Sequence, residues 1–457
     1  MKALYLALGR DLRNRDAGTT HTFSLARALG KLGVDLTLAA GAGAGEDISE
    51  VLSAGPSERR SGGGRAEVSE AGRARSTGQR SGSARGSGRG GARQEHGTTA
   101  DAAGRETRPP PEGGKRAPFT LVEAGIKSPW RSFPSRKSRE RLVELAGQCD
   151  LIHERAEESG AAGARLAALA GKPLVLEINT PLSGHPNPLI RRGADWNLRR
   201  QARAATAVVT QTPLARHIIE SYTRAPVHVV PNGADPELFH PDVEPAGLPA
   251  GGRAVVAFAG SLRPWHGVEE LIEAAAEVGR HRPGVFLLVV GGGNELGRLR
   301  GVAERRLGAG SFLFTGAVAP GEVPACLAAA DVLAAPFAPH RDRVRRKQFA
   351  KWGMWWSPVK VFEYMAMGKP IVASAAGCVG EYLAGAGLTV EPGETAALSG
   401  AVLRLLDDGE LAARLGRKAR ERLLSQFTWR HAAERTLSIW TRALEARTRP
   451  PHPAGRV

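Results

Sequence analysis

Ser357-Pro358-Val359-Lys360-Val361-Phe362-Glu363-Tyr364-Met365-Ala366-Met367-Gly368-Lys369-Pro370 is the stretch that says most about this chain. Ser357 is a favoured helix cap, and Pro358 suits a first helical position. Gly368 and Pro370 stop the helix two turns later. Such an N-terminus presents unpaired N–H groups and a partial positive charge, and Lys360 adds a cation one turn in, so the segment reads as an anion site. Glu363 lies three residues on, on the same face. A carboxylate there can accept two hydrogen bonds from a vicinal diol such as ribose. Spacing alone also allows a plain capped surface helix with a Lys–Glu pair.

Outward from this segment, short apolar runs alternate with helical patterns. Before it come Val255–Ala259, Val285–Val290, Phe312–Thr315 and Val332–Ala335 as strands, with helices over Val268–Val278, Gly297–Leu307 and Val323–Ala330. A strand follows at Pro370–Ala373. The same alternation opens the chain: a strand at Ala3–Leu8, a polar loop from Asp11 to Thr20, an apolar helix face at Phe23, Leu25, Leu29 and Leu32, then a strand at Val34–Ala40. Strands at 150–153, 173–178, 207–210 and 227–230 and a helix over 190–205 continue the first half. Strand–helix alternation implies parallel, doubly wound α/β sheets, here two of them. In such sheets ligands sit outside the carboxyl ends of the strands, where helix N-termini point.

The expected organisation is a first domain over 1–240, a linker over 241–252 rich in Pro and Gly, a second domain over 253–428, a helix over 429–446 crossing back to the first domain, and a disordered tail over 447–457. Residues 52–117 are rich in Gly, Ser, Arg and Pro and offer almost nothing to bury, so they read as a disordered insertion.

The 457 residues exceed one ordinary core. The net charge of +17 resembles a nucleic-acid signal. Between Ser53 and Pro118, however, 13 basic and 7 acidic side chains supply about +6, and no nucleic-acid motif accompanies the rest. No specific nucleic-acid partner is expected. Cys149, Cys326 and Cys378 show no paired spacing, which argues against disulfides or a zinc site and fits a reducing cytoplasm. No apolar run is long enough to span a bilayer, and the N-terminus reads as a buried strand rather than a signal peptide. Arg341, Arg343, Arg345, Arg346, Lys347 and Lys351, beside Trp352, Trp355 and Trp356, form a basic patch. It is either a solvated loop or a contact to the inner face of a membrane.

Two further segments complete a pattern. Phe258-Ala259-Gly260-Ser261-Leu262-Arg263-Pro264-Trp265-His266-Gly267 is a strand end, a glycine turn and a helix start, with Arg263 and His266 as phosphate donors. Val229-Val230-Pro231-Asn232-Gly233-Ala234-Asp235 carries an Asn-Gly turn read as structural.

With Phe362 to Pro370, Pro231-Asn232-Gly233 with Asp235, Gly260 to Gly267, Leu287 to Gly292 and Thr315-Gly316 in family order, the chain resembles a family-4 glycosyltransferase of the subset with a Ser-Pro-x-Lys lead-in. The resemblance covers nearly the whole chain apart from the insertion and the tail. It implies the GT-B fold, two facing Rossmann-like domains with an interdomain cleft, and retaining, metal-independent transfer of a hexose from a nucleoside-diphosphate sugar, with no other cofactor. Glu363 would hold the donor ribose, and Lys360 and Ser357 would sit by the sugar or diphosphate. Gly260, Ser261 and His266 match the diphosphate loop, with Arg263 as a substitute cation. Gly18 and Thr19 resemble the turn that approaches the donor phosphates. Asn179 falls where many relatives place a histidine by the reacting sugar. Trp355 stands where the family commonly carries another Glu, eight residues before Glu363. The acceptor would be a glycan or a lipid-linked sugar in polysaccharide or glycolipid assembly, with peripheral membrane association. A non-catalytic scaffold of the same fold, a nucleotide-sugar epimerase and a polyanion-binding role of the basic insertion are the competing readings.

Overall fold

The structure, a computed structural model, describes residues 1–11, 17–42, 119–123, 136–157 and 160–448. The expected insertion over 52–117 lies outside the described residues, as does the chain beyond Thr448. The first sheet is parallel, with β1 (Lys2–Asp11), β2 (Asp35–Ala42), β3 (Thr120–Glu123), β4 (Leu151–Arg155), β5 (Leu174–Glu177), β6 (Ala207–Thr210) and β7 (Val227–Val229) in spatial order β3-β2-β1-β4-β5-β6-β7. The second contains β8 (Ala254–Ala259), β9 (Val285–Val290), β10 (Phe312–Gly316), β11 (Val332–Ala335), β12 (Ile371–Ser374) and β13 (Leu388–Val390) in order β10-β9-β8-β11-β12-β13. Strand order reverses between β1 and β4 in one sheet and between β8 and β11 in the other. Each reversal opens a crevice at the carboxyl ends.

The period-two geometry of a strand sends alternate residues to opposite faces. In β1, Ala3, Tyr5 and Ala7 pack beneath α1 (Ala17–Lys31) and α14 (Trp429–Thr448), while Leu4, Leu6 and Leu8 join the cluster containing α2 (Arg136–Gln148) and α3 (Ala162–Ala170). In β8, Val256 and Phe258 pack with α6 (Val268–His281), α7 (Leu296–Leu307) and α12 (Thr395–Asp407), while Val255, Ala257 and Ala259 face the other side. Strands buried on both faces read as unbroken apolar runs, which is why they stand out in the sequence. Helix α14 lays Ala433, Ile439 and Trp440 on the first-domain cluster, with Trp440 fully buried.

The remaining helices are α4 (Pro188–Ala204), α5 (Pro213–Glu220), α8 (Val323–Ala328), α9 (Arg346–Trp352), α10 (Val359–Ala366), α11 (Val379–Leu383) and α13 (Gly409–Gln426). Three local expectations change. Gly18 and Thr19 lie in the first turn of α1 rather than in a loop. Helix α10 starts at Val359 with Pro358 at the cap position, one residue later than expected, and the Ser357 side chain is used elsewhere. The basic segment, read as a solvated loop or a membrane contact, holds α9, stopped by Gly353 at φ +74.

Candidate functional site

The signature segment is mostly core. Phe362, Tyr364 and Met365 are fully buried, and the Phe362 ring meets Tyr382 at 5.0 Å and Phe427 at 5.1 Å. The Tyr364 hydroxyl accepts from the Ala259 N–H at 2.6 Å and donates to the Ala259 carbonyl at 3.3 Å. That pair fastens α10 to the end of β8, at the reversal of strand order. Lys360, one turn before Tyr364 on the same face, is thereby set on the Gly260 turn just beyond β8, with Glu363 half-buried three residues on.

Lys360 is 8% exposed, and its Nζ has no hydrogen-bond partner. The ammonium lies 3.8 Å from the Phe258 ring centroid and 5.6 Å from that of Phe337. It also rests on Gly260, where a Cβ would come within 2.7 Å of Nζ. Gly260 has φ +141, and a Cβ at Gly291 would lie 2.2 Å from the Gly260 carbonyl, so glycine backbones pave this floor. Burial lowers the Lys360 pKa to about 7, with Glu363 opposing the shift. Burial likewise raises half-buried Glu363 to about 7, with Lys360 opposing. The two do not form an ion pair. A buried ammonium without a hydrogen-bond partner is costly, and an anion delivered to the crevice would relieve that cost.

The loop after β8 is only partly as expected. Ser261 and Arg263 are exposed on the turn that follows β8. His266 also braces the turn: its Nδ1–H donates to the Ser261 carbonyl, and its backbone N–H donates to the Arg263 carbonyl at 3.0 Å. Burial, then the nearby Lys360 charge, holds its pKa well below the usual value. The ring thus holds the turn through Nδ1 and leaves Nε2 without a hydrogen bond among the described residues. Gly267 is required here, since a Cβ would meet the Pro336 carbonyl at 1.5 Å.

Ser357 is buried, and its role is a joint between domains. Its Oγ accepts from the Asn232 N–H at 3.1 Å, and its carbonyl accepts from Asn232 Nδ2 at 2.5 Å. Trp355 is fully buried with its ring 4.8 Å from Phe349, and its carbonyl accepts from the Thr212 hydroxyl at 2.8 Å. The position where the family commonly has a Glu is thus a core residue between the domains.

Asn232 leads to a cluster that sequence reading missed. Its Oδ1 accepts from Gln211 Nε2 at 3.1 Å and lies 2.6 Å from His21 Nδ1. His21 Nε2 lies 2.9 Å from Glu177 Oε1. Tyr5 Oη donates to Glu177 Oε2 at 2.9 Å, Arg155 pairs with Oε1 at 3.0 Å, and the Asn179 amide donates to Oε1 as well. The Trp440 indole N–H donates to His153 Nδ1 at 2.9 Å, so His153 carries its proton on Nε2, 3.3 Å from Glu177 Oε2. Burial alone would raise the Glu177 pKa, but His21, Arg155 and the hydrogen bonds hold it well below the usual range. The available signal was His153-Glu154-Arg155 and Glu177 at the ends of apolar strands, because a charge in a buried strand must be paired.

Asn179 therefore reaches the carboxyl end of β5 with its amide N–H committed to Glu177, while its buried Oδ1 has no partner. It lines a pocket of about 230 Å³ with Arg155, Ser183 and, from the second domain, Arg345. This pocket holds Asn179 but not Lys360 or Glu363, which belong to the second sheet's domain, with Lys360 beside the end of β8. Gly18 and Thr19 stand near the cluster only through α1, where the Gly18 carbonyl accepts from Thr22 Oγ1 at 2.9 Å. A larger depression of about 410 Å³ between β7, α5 and α14 contains none of these residues.

The sequence model of the Glycosyl transferases group 1 family matches residues 242–422, and that of Glycosyltransferase Family 4 matches residues 89–238. The chain is 30% identical over 346 residues to D-inositol 3-phosphate glycosyltransferase of Acidothermus cellulolyticus, covering 69% of this chain and 72% of that one. It is 30% identical over 277 residues to 2-deoxystreptamine glucosyltransferase of Streptomyces kanamyceticus, covering 56% of this chain and 65% of that relative's length. The backbone resembles that of HepE from Anabaena in complex with UDP-glucose, with a TM-score of 0.63 at 18% identity over 97% of this chain and 100% of that one. The chain belongs to the family-4 glycosyltransferases, the retaining class with the GT-B fold of two facing Rossmann-like domains.

Proposed function

We propose that this protein transfers a hexose from a nucleoside-diphosphate sugar to an acceptor hydroxyl with retention of configuration, and that Lys360 and Glu363 hold the donor. The observation carrying this reading is the buried, unpartnered Lys360 ammonium on a glycine floor at the strand-order reversal. The diphosphate would supply its missing counter-charge, and the first-turn N–H groups of α10 would add a positive end. Glu363 would accept the ribose hydroxyls. As the glycosidic bond breaks, charge grows on the leaving diphosphate, and Lys360 with exposed Arg263 would stabilise it without a metal ion. Ser261 and Gly260 shape the loop beside the phosphates. Asn179 would face the acceptor side through its unpartnered oxygen.

The named relatives act on an inositol phosphate and an aminocyclitol, and HepE binds UDP-glucose. An acceptor rich in hydroxyls, glycan or lipid-linked, and a UDP- or GDP-sugar donor are the corresponding proposal. Calorimetry of UDP, GDP and their sugars against wild type, Lys360→Met and Glu363→Ala tests it. One nucleotide sugar should bind, weakened roughly 10- to 100-fold in each variant, the range of a lost charge-assisted hydrogen bond. Turnover should persist in EDTA. Folded wild type that binds no nucleotide would favour the scaffold reading. Nucleotide release without acceptor would favour the epimerase.

A further inference from the structure

We propose that the outer face of α4 is a docking surface for an anionic lipid bilayer. On its inner side Leu198 and Ala202 join the core cluster containing α2 and α3, beside buried Gln201. Opposite them, the 3.6-residue period brings Leu189, Arg192, Trp196, Arg199, Arg200 and Arg203 onto one exposed stripe. Leu189 is 77% exposed and Trp196 is 65% exposed. Ile190, 41% exposed, widens the apolar end.

The charge on the helix is one-sided. Its single acid, Asp195, turns away, its Oδ1 accepting the Ser183 N–H at 2.7 Å. Among the described residues, none of the arginines of the stripe is ion-paired with a carboxylate. Arg200 stacks over Trp196 at 5.4 Å, while Arg199 and Arg203 lean on Tyr222. Exposed Trp and Leu amid unpaired arginines on a helix otherwise anchored to the protein is the pattern of an element lying in a membrane interface. Its apolar groups enter the headgroup boundary, and its cations meet anionic headgroups. A nucleic acid would engage the arginines but gives Leu189 and Ile190 nothing to bury against.

The basic segment from Arg341 to Trp356, for which a membrane contact is one of two readings of the sequence, is differently built. Trp355 is fully buried, Arg341 is paired with Glu269 and Glu270, and the Arg345 guanidinium packs on Gly184 and over Trp356. Helix α4 also lines the pocket holding Asn179 and Arg155, through Ala194 and Leu198 on the side away from the stripe. This surface does not depend on the donor assignment, and its test does not use turnover.

Co-sedimentation of the full chain with phosphatidylcholine vesicles, with and without phosphatidylglycerol, tests the proposal. Binding should require phosphatidylglycerol. It should fall at least about tenfold both in Leu189→Ser/Trp196→Ser and in Arg192→Glu/Arg200→Glu, since each pair removes one of the two contributions. All four side chains are exposed, so thermal melts of both variants should match wild type. Absence of binding overturns the proposal, and so does binding unchanged in both variants, which would place it on other basic segments. Loss with the arginine reversals alone would mark a polyanion surface instead of a bilayer contact.

Discussion

Glu177 and Lys360 each bury a charge at the carboxyl edge of a parallel sheet, one in each domain, and their surroundings differ. Around Glu177, groups from Tyr5, His21, His153, Arg155 and Asn179 converge on one carboxylate. Around Lys360 there are aromatic faces, glycine backbone and no hydrogen-bond acceptor. A satisfied buried charge is internal structure, while an unsatisfied one is completed by something that arrives. The first arrangement depresses the pKa of its acid, and the second pushes both of its members toward neutrality. Asn232 joins the two regions, touching His21 on one side and Ser357 on the other.

The largest effect that tests this contrast is Glu177→Leu. It strands Arg155 and both histidines in a buried site and should cost about 3–5 kcal/mol in urea unfolding. If stability were unchanged, the cluster would not be structural. Lys360→Met should act in the opposite direction, removing an uncompensated ammonium. Lys360 has a folded pKa near 7 against an ordinary value of 10.5, so folding sheds a proton between those limits. The cost is fully present below pH 7 and fades as pH rises toward 10.5. The variant should therefore melt at least about 2 °C above wild type at pH 7, and by less at pH 9. A lower melting temperature would mean that Lys360 has a partner.

Asn232→Ala should cost about 1–3 kcal/mol by leaving the His21 and Ser357 groups unmatched. If the link only ties the domains, donor affinity should change less than stability. The smallest effect is on pH dependence. Above pH 7 Lys360 loses its proton and donor affinity should weaken, by less than about tenfold per unit. Below pH 7 Glu363 becomes protonated and loses an acceptor site. Glu363→Gln should remove the acid limb and keep the alkaline one, as isothermal titration across pH 6 to 8 (values about the shifted pKa of the pair) would show.

Much of this was legible in the residues. Apolar strand runs and glycine turns declared two doubly wound sheets, because strands buried on both faces leave no polar period. Ser357-Pro358 and Gly368-Pro370 bracketed the signature helix to within one residue, since capping and termination are local. Lys360 and Glu363 were placed on one face by spacing alone. Helix α9 and the hydrogen-bond partners of His266 and Ser357 were not legible, because each depends on a neighbour brought near by the fold.

The sequence by itself determined the architecture and the pair of charged residues on the signature helix, because helical and strand periods are written in local spacing. Only the tertiary structure decided which charges are answered. Tyr5, His21, His153, Arg155 and Glu177 are scattered over more than 170 residues, as the separation of Tyr5 from Glu177 shows. Sheet pairing brings them together, and the same pairing leaves Lys360 alone. Electrostatic satisfaction is a matter of distances of about 3 Å between side chains, and one-dimensional spacing carries no such distances across a fold.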